Sequence, residues 1–271
     1  MSSGKRAPVG RVRLDTLLAA RGLYESRSRA AASVMAGEVL LGAQRAVARK
    51  PGQLVDAEVQ VALRARPRFA SRGALKLAAA LDRLQIDVAG RAALDVGAST
   101  GGFTDLLLQR GAAAVIALDV GYGELHWRLR SDPRVHVLER CNARHLTAAM
   151  LPYRPSLIVI DVSFISLAKV LGAVLACATE RYDCLALVKP QFEAGRDAVG
   201  RGGVVRDPGV RRGALVGVGE AARTLGAAVL GFAPAGLHGP KGNRETFIWI
   251  AERGRAGALS DLEGAARAVE P

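Results

Sequence analysis

The sequence predicts an α/β domain built on about seven strands, preceded by a small α+β module. Three observations predict it. Short apolar runs alternate with helical patterns from residue 71 onward, as buried parallel strands and their crossovers do. A glycine-rich turn follows the first of those runs. Residues 1–66 carry twelve Lys+Arg against five Asp+Glu, a net of +7 within a chain total of +13, so the charge is concentrated in one part.

Within the basic part, Leu14, Leu17 and Leu18 have helical spacing and Gly22 supplies a stop. Ser26 is placed to cap a second helix carrying Arg27 and Arg29, which Gly37 ends. Val39, Leu41 and Val47 predict a hairpin turning at Gly42-Ala43. Arginines at Arg11, Arg13, Arg27, Arg29, Arg45 and Arg49, with Arg72 further on, are the candidate nucleic-acid contacts, because a basic surface favours a polyanion, nucleic acid first and anionic membrane second. Residues 1–10 read as a flexible basic N-terminus, 11–63 as the module and 64–70 ("RARPRFA") as a linker.

The larger domain is expected over 71–252. Leu75, Ala78, Ala79 and Leu81 are read as the apolar face of an opening helix. Strands are expected at Ala92–Val96, Ala114–Asp119, Val135–Leu138, Ser156–Asp161, Cys184–Lys189, Ala227–Phe232 and Thr246–Ala251. Helices are expected at Thr104–Arg110, Ser166–Ala178 and Pro208–Leu225. Residues 253–271 read as a tail, mobile or one weak helix. No apolar run reaches the roughly 18 residues of a membrane span, and no secretory leader is expected. Three cysteines without a CxxC pair point to a reducing, cytoplasmic setting. Four scattered histidines give no metal-ligand spacing.

"DVGASTGGFTD" runs from strand to turn to helix. It is neither a P-loop nor a dinucleotide GxGxxG motif. Gly97, Gly101 and Gly102 let backbone approach a ligand, and Asp95 at the strand end suits a cationic ligand better than a pyrophosphate. S-adenosylmethionine, with its sulfonium and ammonium, fits that sign. Ser99, Thr100 and Phe103 complete the candidate cradle. Asp119, ending the next strand, is placed for ribose hydroxyls, and Asn142, after the third, for an adenine edge. Asp161 ends the fourth strand beside the same ligand.

The chain has six lysines among its 38 basic residues, yet Lys189 stands at the tip of a core strand in "LALVKPQFEAG". Lys76, Asp161 and Glu245 join it as candidates. Strand ends in such sheets face the ligand, and an ionisable lysine can exchange a proton where arginine cannot. Free lysine holds its proton to about pH 10.4, and burial or a second cation lowers that. Ser163, Ser166 and His145 suggest a hydrolase only loosely, since no GxSxG is present. His238 reads as a loop residue. "EAGRDAVGRGGVVRDP" is either a loop that closes over the substrate or a surface loop.

These motifs carry a resemblance. "RLDTLLAARGLYESRSRAAASVMAGEVLLG" with "KPGQLV" resembles the S4 RNA-binding domain. "DVGASTGGFTD" is similar to the first motif of class I (Rossmann-like) methyltransferases in its FtsJ-like form. Lys-Asp-Lys-Glu in "SRGALKL", "IDVSF", "LVKPQFE" and "GNRETF" resembles the tetrad of RNA ribose 2′-O-methyltransferases. Together they resemble the TlyA family over residues 11–251. The resemblance implies a seven-stranded mixed sheet whose last strand is antiparallel, with Lys76, Asp161, Lys189 and Glu245 catalytic and no metal. It also implies S-adenosylmethionine as cofactor and cytidine ribose in ribosomal RNA or ribosomal subunits as substrate. In relatives an Arg-x-Trp linker couples RNA and cofactor binding; here the linker stretch "RARPRF" has no tryptophan, and Phe69 is the stand-in. A non-catalytic RNA-binding or ribosome-assembly protein is the alternative. A membrane-active cytolysin, a label attached to this family, lacks both a membrane span and a long basic amphipathic helix.

Overall fold

The computed structural model describes residues 10–64 and 68–271; the expected flexible stretch 1–10 and the middle of the linker fall almost wholly outside these. The chain divides into two compact units, Met1–Arg68 and Phe69–Pro271.

The first unit runs β1 (Arg11–Arg13), α1 (Leu14–Ala20), α2 (Arg27–Met35), β2 (Val39–Leu41), β3 (Ala46–Val47), β4 (Leu54–Asp56) and β5 (Val61–Leu63). Ser26 Oγ accepts the Arg29 amide at 3.2 Å and so caps α2. The β2–β3 hairpin turns through Gly42–Arg45, with Gly42 and Arg45 at φ +70° and +53°. Strand β1 pairs with β4, and β2 also pairs with β5, all antiparallel. Leu14, Leu18, Ala30, Val34 and Val39 form a small core of this unit.

The second unit runs α3 (Gly73–Leu84), β6 (Ala92–Val96), α4 (Gly102–Gln109), β7 (Ala114–Leu118), α5 (Trp127–Arg130), β8 (Val135–Leu138), β9 (Leu157–Ile160), α6 (Leu171–Leu175), β10 (Asp183–Val188), α7 (Pro190–Glu193), α8 (Pro208–Thr224), β11 (Ala228–Pro234), β12 (Thr246–Ala251) and α9 (Leu262–Val269). Its sheet has the order β11-β12-β10-β9-β6-β7-β8. Strands β10, β9, β6, β7 and β8 run parallel to one another, and β12 runs antiparallel to both β10 and β11. The sheet is therefore mixed and seven-stranded.

Side chains alternate across a strand, and here both faces are buried. Ala93, Val159, Leu187 and Phe247 pack against α3 and α4 through Leu77, Leu81, Leu106 and Leu107. Leu94, Ile158, Ala186 and Ile248 pack against α6, α8 and α9 through Leu171, Leu215, Val218 and Leu262. Cutting one of these leucines to alanine costs about 2–5 kcal/mol.

Two expectations need correction and a third is decided. Helix α3 buries Ala74, Leu77, Ala80 and Leu81, while Leu75 is 48% exposed. The helix is apolar nearly all round, so the sequence offers two stripes, and packing on the sheet selects the one that brings Lys76 to its margin. Ser166–Ala178 is not one helix but a 3₁₀ turn, Leu167–Lys169, followed by α6. Of the two readings of the tail the helix is found, as α9, and the mobile one is not: Leu262 and Ala266 are buried, and Glu270 pairs with Arg211 at 2.8 Å in the interior.

Candidate active site

The parallel strands β6, β9 and β10 end side by side, and the chain leaves each at the same sheet edge. Register pairs Val188 with Thr246, so Lys189, just past β10, and Glu245, just before antiparallel β12, meet there too. Lys76 Nζ donates to Glu245 Oε2 at 2.5 Å, and the Glu245 side chain is 1% exposed. Lys189 Nζ lies 2.5 Å from Asp161 Oδ1 and donates to Ser163 Oγ at 2.9 Å. Two lysine–carboxylate pairs thus face one cavity of about 1150 Å³.

The glycine-rich turn forms the neighbouring wall. Gly97 sits at φ +86°, and a Cβ there would fall 2.5 Å from the carbonyl oxygen of Asp161. Only glycine lets the β6 and β9 loops close on one another. Gly101, at φ +92°, precedes α4, and a Cβ on Gly102 would collide with Ser71 Oγ.

Asp95 is fully buried. Its Oδ2 accepts the Thr104 amide at 2.9 Å and the Thr104 hydroxyl at 2.7 Å. Its Oδ1 has no partner among the described residues, although Asp95 lines the cavity. Burial pushes Asp95 up to about 7; the Thr104 hydroxyl opposes this, and the charges of Asp161 and Asp119 add to it. An orphaned buried carboxylate oxygen beside a glycine cradle fits a ligand that brings a cationic N–H donor.

The cavity brings together Lys76, Asp95, Gly97, Ser99, Thr100, Gly102, Phe103, Asp161, Lys189 and Glu245, with Arg72 at its rim. Gly101, Asp119 and Asn142 are not in its lining. Asp119 accepts the Ser99 amide at 2.8 Å and the Gly121 amide at 2.7 Å, which ties the glycine turn to β7. Asn142 Oδ1 accepts the Arg144 amide at 3.1 Å and caps a 3₁₀ turn. Both are thus engaged in shaping loops, with lone pairs to spare.

Ser163, raised from sequence only as a loose hydrolase candidate, is the second partner of Lys189, and of Ser163, Ser166 and His145 it alone lines the cavity. Another residue escaped the sequence reading. Asn243, buried, accepts the Val205 amide at 2.9 Å and donates to the Gly203 carbonyl at 2.8 Å. It therefore fastens the 193–208 loop, whose Val199 and Gly203 line the cavity together with His238. Phe69 is buried in the core of the second unit.

In the first unit, Arg11, Arg13, Arg27, Arg29, Arg45 and Arg49 are all exposed. Arg13 and Arg27 reach Asp15 at 2.7 and 3.5 Å, so two of the six are partly engaged at home.

Comparison with known proteins gives the family. The FtsJ-like methyltransferase model matches residues 69–252. The 16S/23S rRNA (cytidine-2′-O)-methyltransferase TlyA of Mycobacterium tuberculosis is 48% identical over 258 residues, 94% of this chain and 96% of its own. The chain belongs to the TlyA family of FtsJ-like methyltransferases. Bacillus subtilis YqxC, which carries an rRNA methyltransferase name, is 41% identical over 263 residues, 95% of this chain and 92% of its own. A solved structure from Streptococcus thermophilus superposes with a TM-score of 0.71 at 36% identity, covering 96% of each chain. It carries a hemolysin name. Among the described residues of this TlyA-family chain, no helix is long and apolar enough to cross a membrane.

Proposed function

We propose that the protein transfers a methyl group from S-adenosylmethionine to the ribose 2′-hydroxyl of a cytidine in ribosomal RNA, with the first unit acting as an S4-like RNA-binding module. The observation that carries this is the meeting of Lys76, Asp161, Lys189 and Glu245, from four separate elements, in one cavity beside the glycine-rich turn. The TlyA relative that spans nearly the whole chain is named for this reaction.

S-adenosylmethionine supplies an electrophilic methyl group on a positively charged sulfur. Asp95 Oδ1 would accept its ammonium, the Gly97–Gly102 turn would seat its backbone-hugging parts, and Asp161 would face the charged sulfur side. Asp119 and Asn142 would use their free lone pairs for the nucleoside end.

A ribose hydroxyl attacks carbon poorly until its proton leaves. In its deprotonated form Lys189 would take that proton as the oxygen–methyl bond forms and the methyl–sulfur bond breaks. The ammonium so produced finds the Asp161 carboxylate 2.5 Å away and the Ser163 oxygen at 2.9 Å, so the charge that develops is met by groups already in place. Lys76, fixed by buried Glu245, holds the hydroxyl oxygen from the other side. Most of the acceleration comes from holding attacker and methyl carbon in line.

The basic first unit suits recognition of structured RNA through phosphates and shape. Exposed Arg11, Arg29, Arg45 and Arg49 present their charge to solvent, where a polyanion can meet it.

The test is methyl transfer from labelled S-adenosylmethionine to ribosomal subunits, with the modified riboses mapped. New 2′-O-methyl sites on cytidine are expected. RNA binding without any transfer would instead favour a non-catalytic assembly protein.

A further inference from the structure

The Asp161 side of the site stands on a loop with few ties of its own. The Asp161 amide donates to the Val96 carbonyl at 2.9 Å, and the next backbone tie is at Lys169, whose amide donates to Ser166 O at 3.1 Å. Between them Phe164 holds a positive φ of 65° and is 93% exposed. Backbone in that region persists only when its surroundings fix it.

What fixes the loop comes from the segment after β10. Lys189 binds Asp161 and Ser163 at its near end. The ring of Phe192 lies 5.3 Å from that of Phe164. Glu193, partly buried, closes the far end: its Oε2 accepts the Ser166 hydroxyl at 2.6 Å and its Oε1 accepts the Leu167 amide at 2.8 Å. That carboxylate caps a 3₁₀ turn of another segment. Pro190–Glu193 is a single helical turn whose N-cap is Lys189. Lys189 and Glu193 are thus the two ends of one rigid piece, and both grip the β9 loop.

We propose that Glu193 is a positioning residue for methyl transfer, clamping the β9 loop so that Asp161 and Ser163 stay against Lys189. This rests on the proposed reaction above. Glu193 is absent from the cavity lining, so it acts through Lys189 and Asp161 rather than on the substrate. Burial raises its pKa, against the hydrogen bonds from Ser166 and Leu167; a carboxylate kept in such a place needs both of those donors.

The experiment measures methyl transfer to ribosomal RNA by wild type, Glu193→Ala, Glu193→Gln and Lys189→Ala, together with S-adenosylmethionine affinity. Misplacing a reacting group by a fraction of an ångström is costly, so Glu193→Ala should lower kcat about tenfold. KM for RNA and cofactor affinity should stay within about twofold, the pattern of lost transition-state positioning. Glu193→Gln keeps an acceptor for the Leu167 amide and should recover most of the rate. Added to Lys189→Ala, Glu193→Ala should cost little further, because the contact of Asp161 and Ser163 with Lys189 that it maintains is already gone. Unchanged kcat in Glu193→Ala, or a full additional loss on top of Lys189→Ala, overturns the proposal. If Glu193→Ala does not fold, Ser166→Ala removes one of the two contacts and is read the same way: a several-fold fall in kcat alone supports the clamp, and an unmoved kcat overturns it. Wild-type protein that transfers no methyl group to RNA sinks the reaction reading and this inference with it; wild-type activity beside an unmoved Glu193→Ala sinks this inference alone.

Discussion

Asp15 in the first unit and Asp95 in the second are both buried, at 5% and 0% exposure, yet their carboxyls move in opposite directions. The Arg13 hydrogen bond holds Asp15 down at about 2, against the opposing effect of burial. Asp95, with only a hydroxyl and an amide on one oxygen, is pushed up to about 7 by burial. The difference is both partner and depth: Asp15 sits in a shallow site beside Arg13, while Asp95 lies deep in its unit with no cation among the described residues next to it. The first unit settles its acid with its own arginine; the second leaves its acid short of a cation, at the place where a cationic ligand would bring one. The same contrast runs through the basic residues. In the first unit they lie on the surface, while in the second Lys76 and Lys189 are drawn inside against carboxylates.

Each half of this contrast can be broken separately. The largest effect short of removing Lys189 is expected from Lys76→Met. It should cut kcat about 10²-fold and, by leaving Glu245 buried without its partner, destabilise the fold by about 3 kcal/mol. Kinetics and denaturant unfolding check the two parts, and a stable variant with normal kcat would make that pair ornamental.

Next is the pH dependence set by Asp95. Its folded pKa lies above the unfolded value near 3.8, so its contribution to stability is fully present below about pH 4 and is lost as pH rises towards about 7. Binding of a cation pulls the other way, favouring the ionised form. S-adenosylmethionine should therefore bind about tenfold more tightly at pH 8 than at pH 6, releasing a proton on the way. Calorimetry in buffers of different ionisation heat measures both, and Asp95→Asn should weaken binding and flatten the profile.

The smallest effects belong to the first unit. Arg29→Ala or Arg49→Ala should weaken RNA binding evenly across sequences and reduce the salt slope by about one each, leaving kcat alone. A change in kcat instead would erase the division of labour between the units.

Much of this was legible in the residues. Continuous apolar runs located all seven strands of the large sheet to within a residue or two, because strands buried on both faces leave no room for polar positions. Lys189 was legible because lysine is rare in this chain and it sits beside a strand end; Lys76, on a helix, joined it through the resemblance of the four motifs. Less legible was anything decided by tertiary packing. The face of α3 was ambiguous because alanine and leucine surround it. The tail was ambiguous because its anchors, Leu262 and the Arg211–Glu270 pair, join positions 59 residues apart. Glu193 and Asn243 carried no signal of their own, since a carboxylate or an amide in a loop gives no hint of which backbone it will hold.

The central claim is that Lys189 must be able to exchange a proton at the ribose hydroxyl. Lys189→Arg tests it most directly, because arginine keeps the positive charge for Asp161 but cannot be deprotonated. Single-turnover methyl transfer to ribosomal subunits should fall about 10³-fold or more in this variant, with S-adenosylmethionine and RNA still bound. A Lys189→Arg protein that methylates at the wild-type rate would contradict the account.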